Sequence, residues 1–272
     1  MRSAGNEDRV PTGAVVVGVD RSTAGHRALH WATAEARRSE VPLCVLAAAT
    51  DRSPAADRSL LAVVRAAVGG RLAALPVVRG RSAHPVVDRL RTLSAQASMV
   101  VVPVALPGLT ELVATSYSPV VVVPERDAAD GPVVLGAAPW TGDEVFALAF
   151  GEAAQRGTGL IAVRVRDHAV ERARDDLELA LSPWTVIYPE VRVEQMVVPD
   201  QTTALLLDLS TRAQLLVLGR SARGALLRLI VGSPAVDLLG AAQCPVVVVP
   251  AAGPPHSTWW PTDLAWRVSS GG

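Results

Sequence analysis

The sequence predicts an α/β fold built twice in tandem, each copy a parallel sheet with helices on both faces. Three observations carry that expectation. Short apolar runs of strand length alternate along the chain with segments whose apolar residues recur at helical spacing. Several runs are solid valine, as in Val15-Val16-Val17 and Val120-Val121-Val122-Val123, which marks strands buried on both faces. Finally, the pattern restarts midway. Gly13-Ala-Val-Val-Val-Gly-Val-Asp20 is answered by Gly131-Pro-Val-Val-Leu-Gly-Ala-Ala138, and Ser118-Pro-Val-Val-Val-Val-Pro124 by Cys244-Pro-Val-Val-Val-Val-Pro250. A period of about 118 residues is a duplicated domain and excludes a solenoid of short repeats.

In the first copy, residues 1–12 are polar. Gly13 to Asp20 reads as a buried strand ending in an acid, and Ser22 as the cap of a helix with Ala28, Leu29, Ala32 and Ala36 on one face. A second strand spans Val41–Ala49 and a helix Ala56–Ala74. A strand is expected near Pro76–Arg79, then a helix near Ala83–Gln96. Met99–Val102 and Pro119–Pro124 supply the fourth and fifth strands. The expected boundaries are 13–124 for this domain and 125–131 for a charged linker.

The second domain is expected over 132–250. Glu144–Arg156 reads as a helix, Leu160–Val165 as a strand, and Ala169–Leu181 as a helix broken by Pro183. Val191–Val198 is a strand, Thr202–Arg212 a helix and Leu215–Leu218 a strand. A further helix opens at Gly232-Ser233-Pro234, a good start because Ser caps and Pro suits the first turn. The tail, 251–272, is rich in Pro and Gly and carries Trp259, Trp260 and Trp266. Three such rings favour packing along a domain over full solvation; a partner-docking motif is the other reading.

Composition narrows the function. Of the 272 residues half are apolar, and 26 basic residues balance 26 acidic ones. That balance argues against a general nucleic-acid or anionic-membrane surface. Every basic residue among the 26 is arginine, which removes P-loop, Schiff-base and catalytic lysines. Cys44 and Cys244 lie far apart in apolar strand runs and read as buried thiols, without metal-type spacing. No apolar run reaches membrane-spanning length and the N-terminus lacks a signal-peptide core, so a cytoplasmic protein is expected.

The stretch Leu218 to Ser233 is the richest in chemistry. It follows a buried strand, begins at Gly219, and ends where a helix begins, so free backbone N–H groups and the helix dipole form a plausible anion seat. Between Leu209 and Val236 stand Arg212, Arg220, Arg223 and Arg228 with no acid. The plainer reading is a solvated loop kept soluble by its arginines.

Other patterns are weaker. His26 and His30 share a helix face without a third ligand, a poor metal site. Gly157-Thr-Gly159 precedes a strand where a dinucleotide loop would follow one. No Gly-x-Ser-x-Gly elbow and no acid/base pair can be assembled by spacing.

The run Val-Val-Val-Gly-Val-Asp-Arg-Ser (15–22), the helix Ala28-Leu-His-Trp-Ala-Thr-Ala-Glu-Ala36, Leu-Val-Leu-Gly-Arg-Ser-Ala-Arg-Gly (216–224), Val-Gly-Ser (231–233) and the closing Cys-Pro-Val-Val-Val-Val-Pro together resemble the universal stress protein family in its tandem form. The resemblance covers about residues 13–250. It implies doubly wound, adenine nucleotide alpha hydrolase-like domains of five parallel strands ordered like 3-2-1-4-5. Fifth strands in that family pair domains or chains, so packing as an internal pseudo-dimer is expected. ATP-binding members hold adenosine near the acid ending strand one. Their phosphates lie on a loop of pattern Gly-x2-Gly-x9-Gly-Ser/Thr. Carried onto this chain, Gly219, Ser221, Arg223, Gly224, Gly232 and Ser233 would contact phosphates.

The departures from that pattern are complementary. In the second repeat Ala222 replaces the middle glycine, and Ala138, followed by Pro139 and Trp140, replaces the strand-one acid. The first repeat keeps Asp20, but Pro103 answers Gly219 and about ten residues are missing from the phosphate loop. What remains there has Glu111 and no arginine. The expectation is a non-enzymatic stress-response protein with no metal, binding ATP weakly in the second domain or not at all. The alternative is a nucleotide-free regulatory or scaffold protein acting through a homodimer or a protein partner.

Overall fold

In the computed structural model β1 (Val15–Val19) is buried along its whole length. The residues described are 11–20, 22–47, 72–74, 85–165, 170–198, 202–220 and 238–251. By compactness the chain divides into two units between Glu125 and Arg126.

In the first unit, helix α1 (Thr23–Arg38) starts at Ser22, whose extended backbone and hydroxyl form the cap by accepting from Gly25 N–H at 2.9 Å. Ala28, Leu29, Ala32 and Ala36 form its buried stripe, as the spacing predicts. Strand β2 (Leu43–Ala47) runs parallel to β1, and β3 (Leu72–Ala74) parallel to β2. Residues 72–74 were expected to end a helix. Leu-Ala-Ala has no period that separates helix from strand, and pairing of Leu72 with Leu43 decides the matter. The strand expected at Pro76–Arg79 lies outside the described residues. Then come α2 (Pro85–Ser94), β4 (Met99–Pro103), α3 (Leu109–Thr115) and β5 (Val120–Val123). The sheet order is β3-β2-β1-β4-β5.

The second unit repeats this plan. It comprises β6 (Val133–Ala137), α4 (Asp143–Arg156), β7 (Leu160–Val165), α5 (Val170–Ile187), β8 (Val193–Val198), α6 (Thr202–Ser210), β9 (Leu215–Gly219) and β10 (Val246–Val249). Its order, β8-β7-β6-β9-β10, is the same walk from one edge to the other. All described strand pairs within each unit are parallel.

Pro183 does not stop α5, contrary to the expectation; the helix runs on to Ile187. Leu181 and Trp184 on either side are fully buried, and Trp184 packs on Phe150 of α4 with ring centroids 6.4 Å apart. The proline is exposed and costs the helix one backbone hydrogen bond, which the anchored last turn outweighs.

The two helices that follow the first strand of each unit end alike. Val41 N–H bonds Ala36 O, and Thr158 N–H bonds Ala153 O, both at 3.0 Å, closing the last turn. The residue turned into the left-handed region is Glu40 (φ 56°) in the first unit and Gly157 (φ 62°) in the second. Gly157 therefore serves as a helix terminator, which explains this glycine before β7 without any ligand.

Candidate functional site

In a doubly wound sheet, ligands bind beyond the carboxyl ends of the strands where the order reverses. Here these are β1 and β4 in one unit, β6 and β9 in the other. Strand register fixes the correspondence between them. Pro103 pairs with Val123 in the first unit, and Gly219 pairs with Val249 in the second. Twenty residue positions separate the first pair and thirty the second, so the ten-residue difference falls between β4 and β5.

A repeated clasp locates the difference further. Ser94 Oγ, at the end of α2, accepts from Tyr117 N–H at 3.0 Å; Ser210 Oγ, at the end of α6, accepts from Gln243 N–H at 3.0 Å. Both hydroxyls donate to a carbonyl of their own helix at 2.7 Å. Because both units close the same clasp just before β5 and β10, the change in length lies ahead of it, within the loop. Sequence reasoning missed these serines; their only signal is a helix-ending Ser at matched positions.

In the first unit the shortened loop folds into α3, an element not expected from the sequence. Gly108 caps it in the left-handed region (φ 81°). Leu106, Leu112 and Val113 are buried and fill the space under it, so the β4–β5 connection is an apolar plug with no cation.

Asp20 stands at the end of β1. Its Oδ1 accepts from Ser22 N–H at 3.0 Å and from the Ser22 hydroxyl at 2.5 Å, and a Cβ on Gly25 would lie 2.3 Å from it. This carboxylate is thus tied into the helix start, the role of a turn-forming acid. His26 Nδ1–H donates to Ser22 O at 2.8 Å, and His30 is exposed. Among the described residues no cluster of three His, Cys, Asp or Glu side chains could hold a metal.

In the second unit the matching position is Ala138. Its N–H donates to Thr141 Oγ1 at 2.7 Å, so a hydroxyl organises the turn that Asp20 organises in the first. Trp140, in that turn, is 45% exposed. A Cβ on Gly142 would lie 2.4 Å from the Glu144 carboxylate, which places an acid at the start of α4. Gly219 ends β9, where a Cβ would come within 2.9 Å of Val145 Cγ2; close packing of α4 is reason enough for this glycine. The next residue, Arg220, donates its N–H to Val249 O at 2.6 Å. Its side chain is half-buried, and the loss of hydration lowers the guanidinium pKa.

Of the six residues expected to contact phosphate, the described structure places Gly219. Ser221, Arg223, Gly224, Gly232 and Ser233 lie outside the described residues. A phosphate seat fits the placed part of the second unit only in one respect, the half-buried Arg220 beyond the end of β9. The strand-one carboxylate is absent there, and in the first unit the loop itself is.

Three buried charges also went unseen in the sequence. Glu35 pairs with Arg38 and also accepts from Ser39 Oγ at 2.9 Å. Glu152 accepts from Arg156 Nη2 at 2.7 Å and Nε at 3.0 Å. The two glutamates sit at the same place in α1 and α4, each paired with an arginine of the last turn, and secure those helix ends. The third is Arg164 on β7. No described helix is long and apolar enough to cross a membrane.

Comparison with known proteins agrees with this architecture. Residues 153–250 match the model of the universal stress protein family. The universal stress protein Rv1996 of Mycobacterium tuberculosis is 28% identical over 301 aligned positions, which cover 86% of this chain and 94% of that protein. By these matches the chain is similar to universal stress proteins, along most of its length to Rv1996 and over residues 153–250 to the family's own model. A second M. tuberculosis relative, Rv2005c, is 34% identical over 149 residues, and this chain spans about half of its length. Among solved structures, a universal stress protein from Archaeoglobus fulgidus superposes with a TM-score of 0.65 at 15% identity, over 88% of this chain and 97% of that one. A putative universal stress protein from Pseudomonas aeruginosa gives 0.64 at 14% identity, over 95% and 97%. These likenesses establish the fold.

Proposed function

We propose that this chain acts as a universal stress protein, a non-catalytic stress-response protein whose adenine nucleotide binding, where it persists, resides in the second unit alone. The observation that carries the reading is the register difference: twenty residue positions between the Pro103 and Val123 partners, thirty between Gly219 and Val249. The first unit has spent its phosphate loop on the apolar plug of α3. The second keeps a full-length loop with Arg220 half-buried at its entrance. Absence of the strand-one acid at Ala138 removes a ribose partner, so the affinity is weak. No nucleophile, base and orienting group come together among the described residues, which supports a binding role over a catalytic one.

Calorimetric titration of Mg-ATP into the full chain, repeated with Gly232→Val, tests this. Saturable binding that disappears in the variant is expected. Binding undiminished by Gly232→Val would refute the placement.

A specific pair of observations favours the second reading, a nucleotide-free regulatory protein. Ala138 has replaced the acid, and the large apolar ring of Trp140 stands half exposed beside it. On that reading the titration stays flat and the working surface is one that meets a homodimer or protein partner.

A further inference from the structure

Arg164 is an unusual residue for its position. It lies on β7, paired with Ala137, the last residue of β6, at the carboxyl end of the sheet. The residue is only 5% exposed. Its one ion pair among the described residues, Nη2 to Asp176 Oδ2 on α5, is 3.3 Å long, against about 2.7–2.9 Å for a strong charge-assisted bond. Asp176 is itself 45% exposed, so water screens the attraction. The Nε–H is buried and has no hydrogen-bond partner among the described residues. Nε and Nη2 form one edge of the guanidinium, the edge that grips two oxygens of a carboxylate or phosphate side by side. One donor on that edge is empty and the other is poorly filled.

Burying a cation with so little compensation is unfavourable, and native proteins rarely leave such a group unmatched without a use for it. The second unit offers a reason. In the first unit the strand end carries Asp20, and the position corresponding to Arg164, opposite Val19, is Ala47. In the second unit the acid has become Ala138 and the neutral position has become Arg164. The charge at the strand ends has been inverted. The neighbouring strand adds a polar group: Gln195, opposite Ala162 on the face that Arg164 shares, has a buried Oε1 with no partner among the described residues.

We infer that the carboxyl end of β6 and β7 is an oxyanion site, in which the Nε–Nη2 edge of Arg164 binds a carboxylate or phosphate group of a small ligand and Asp176 is the side chain that the ligand displaces. The Gln195 amide is positioned on the same face to meet a polar group of that ligand. The inference does not rest on nucleotide binding by the β9 loop.

The test uses the full chain carrying Gly232→Val, so that a response cannot come from the β9 loop. Inorganic phosphate and acetate are titrated in separate arms at constant ionic strength. The signal followed is the Arg164 Nε–H resonance, identified by its loss in Arg164→Gln. A saturable shift is expected with at least one anion, and the arm that responds names the headgroup. In Asp176→Asn the competing carboxylate is gone, so the same anion binds more tightly, by roughly tenfold for one charge-assisted contact. If Arg164 served only to hold α5 on the sheet, Asp176→Asn would lower the unfolding midpoint and leave anion affinity unchanged. That result, or a resonance unmoved by both anions, overturns the proposal. Should Arg164→Gln fail to fold, the Asp176→Asn comparison decides alone.

Discussion

Gly219 is where a ligand-binding motif and an ordinary packing constraint meet in one residue. Its Cβ would sit 2.9 Å from Val145 Cγ2, and Val145 is buried on α4. Gly219→Ala should therefore destabilise the chain by about 1–3 kcal/mol, the usual cost of overfilling a packed interior. Denaturant unfolding measures it, and a double-mutant cycle with Val145→Ala should show positive coupling. The two cysteines make a second statement at this scale. Burial pushes the Cys44 thiol up to about 11 and that of Cys244 to about 12, from an ordinary 9.0. Both pKa values are raised by folding, so the contribution to stability is complete below about pH 9. It is lost as the pH climbs toward 11 and 12, because the unfolded chain ionises first. Equilibrium unfolding between pH 8 and 11 should show the fall. Iodoacetamide at neutral pH should leave both thiols of the folded chain unmodified, whereas rapid labelling would contradict their burial.

At the scale of elements, the duplicated helix ends offer an internal control. Gly157 holds the left-handed residue at the end of α4, and Glu40 holds it at the end of α1. A side chain in that conformation costs roughly 1 kcal/mol relative to glycine. Glu40→Gly should thus stabilise the first unit by about that amount, read as a higher denaturation midpoint with an unchanged slope. The contrast also shows what the sequence made legible. The helix before Gly157 and the strand after it were legible, but the terminating role of Gly157 was not, and nothing in Ser39-Glu40-Val41 announces a left-handed turn. The valine runs and the α1 stripe were legible because burial on both faces, or on one helical face, leaves a period in the letters. Helix α3, the end of α5 and the short β3 were not. Each depends on long-range partners: Leu112 and Val113 under a shortened loop, Trp184 against Phe150, Leu72 beside Leu43. At the site, the loss of the loop in the first unit could be counted directly from Val102 and Pro119. Arg164 could not be singled out, since an arginine in a strand says nothing of its burial until β7 is set beside β6.

For the whole molecule, duplication followed by divergence explains the pattern. Each unit keeps the strand order, the serine clasp and the buried Glu–Arg pair, which are the parts that hold a doubly wound sheet together. What differs lies at the carboxyl ends of the strands, where the first unit has Asp20 and an apolar plug and the second has Ala138, Arg164 and a full-length loop. Hydrogen exchange of the intact chain with and without saturating Mg-ATP tests this asymmetry most directly. The account predicts added protection in peptides spanning residues 215–250 and none in those spanning 99–123. Protection of 99–123 equal to that of 215–250 would contradict it, because a unit without a phosphate loop would then be binding nucleotide as well as its twin.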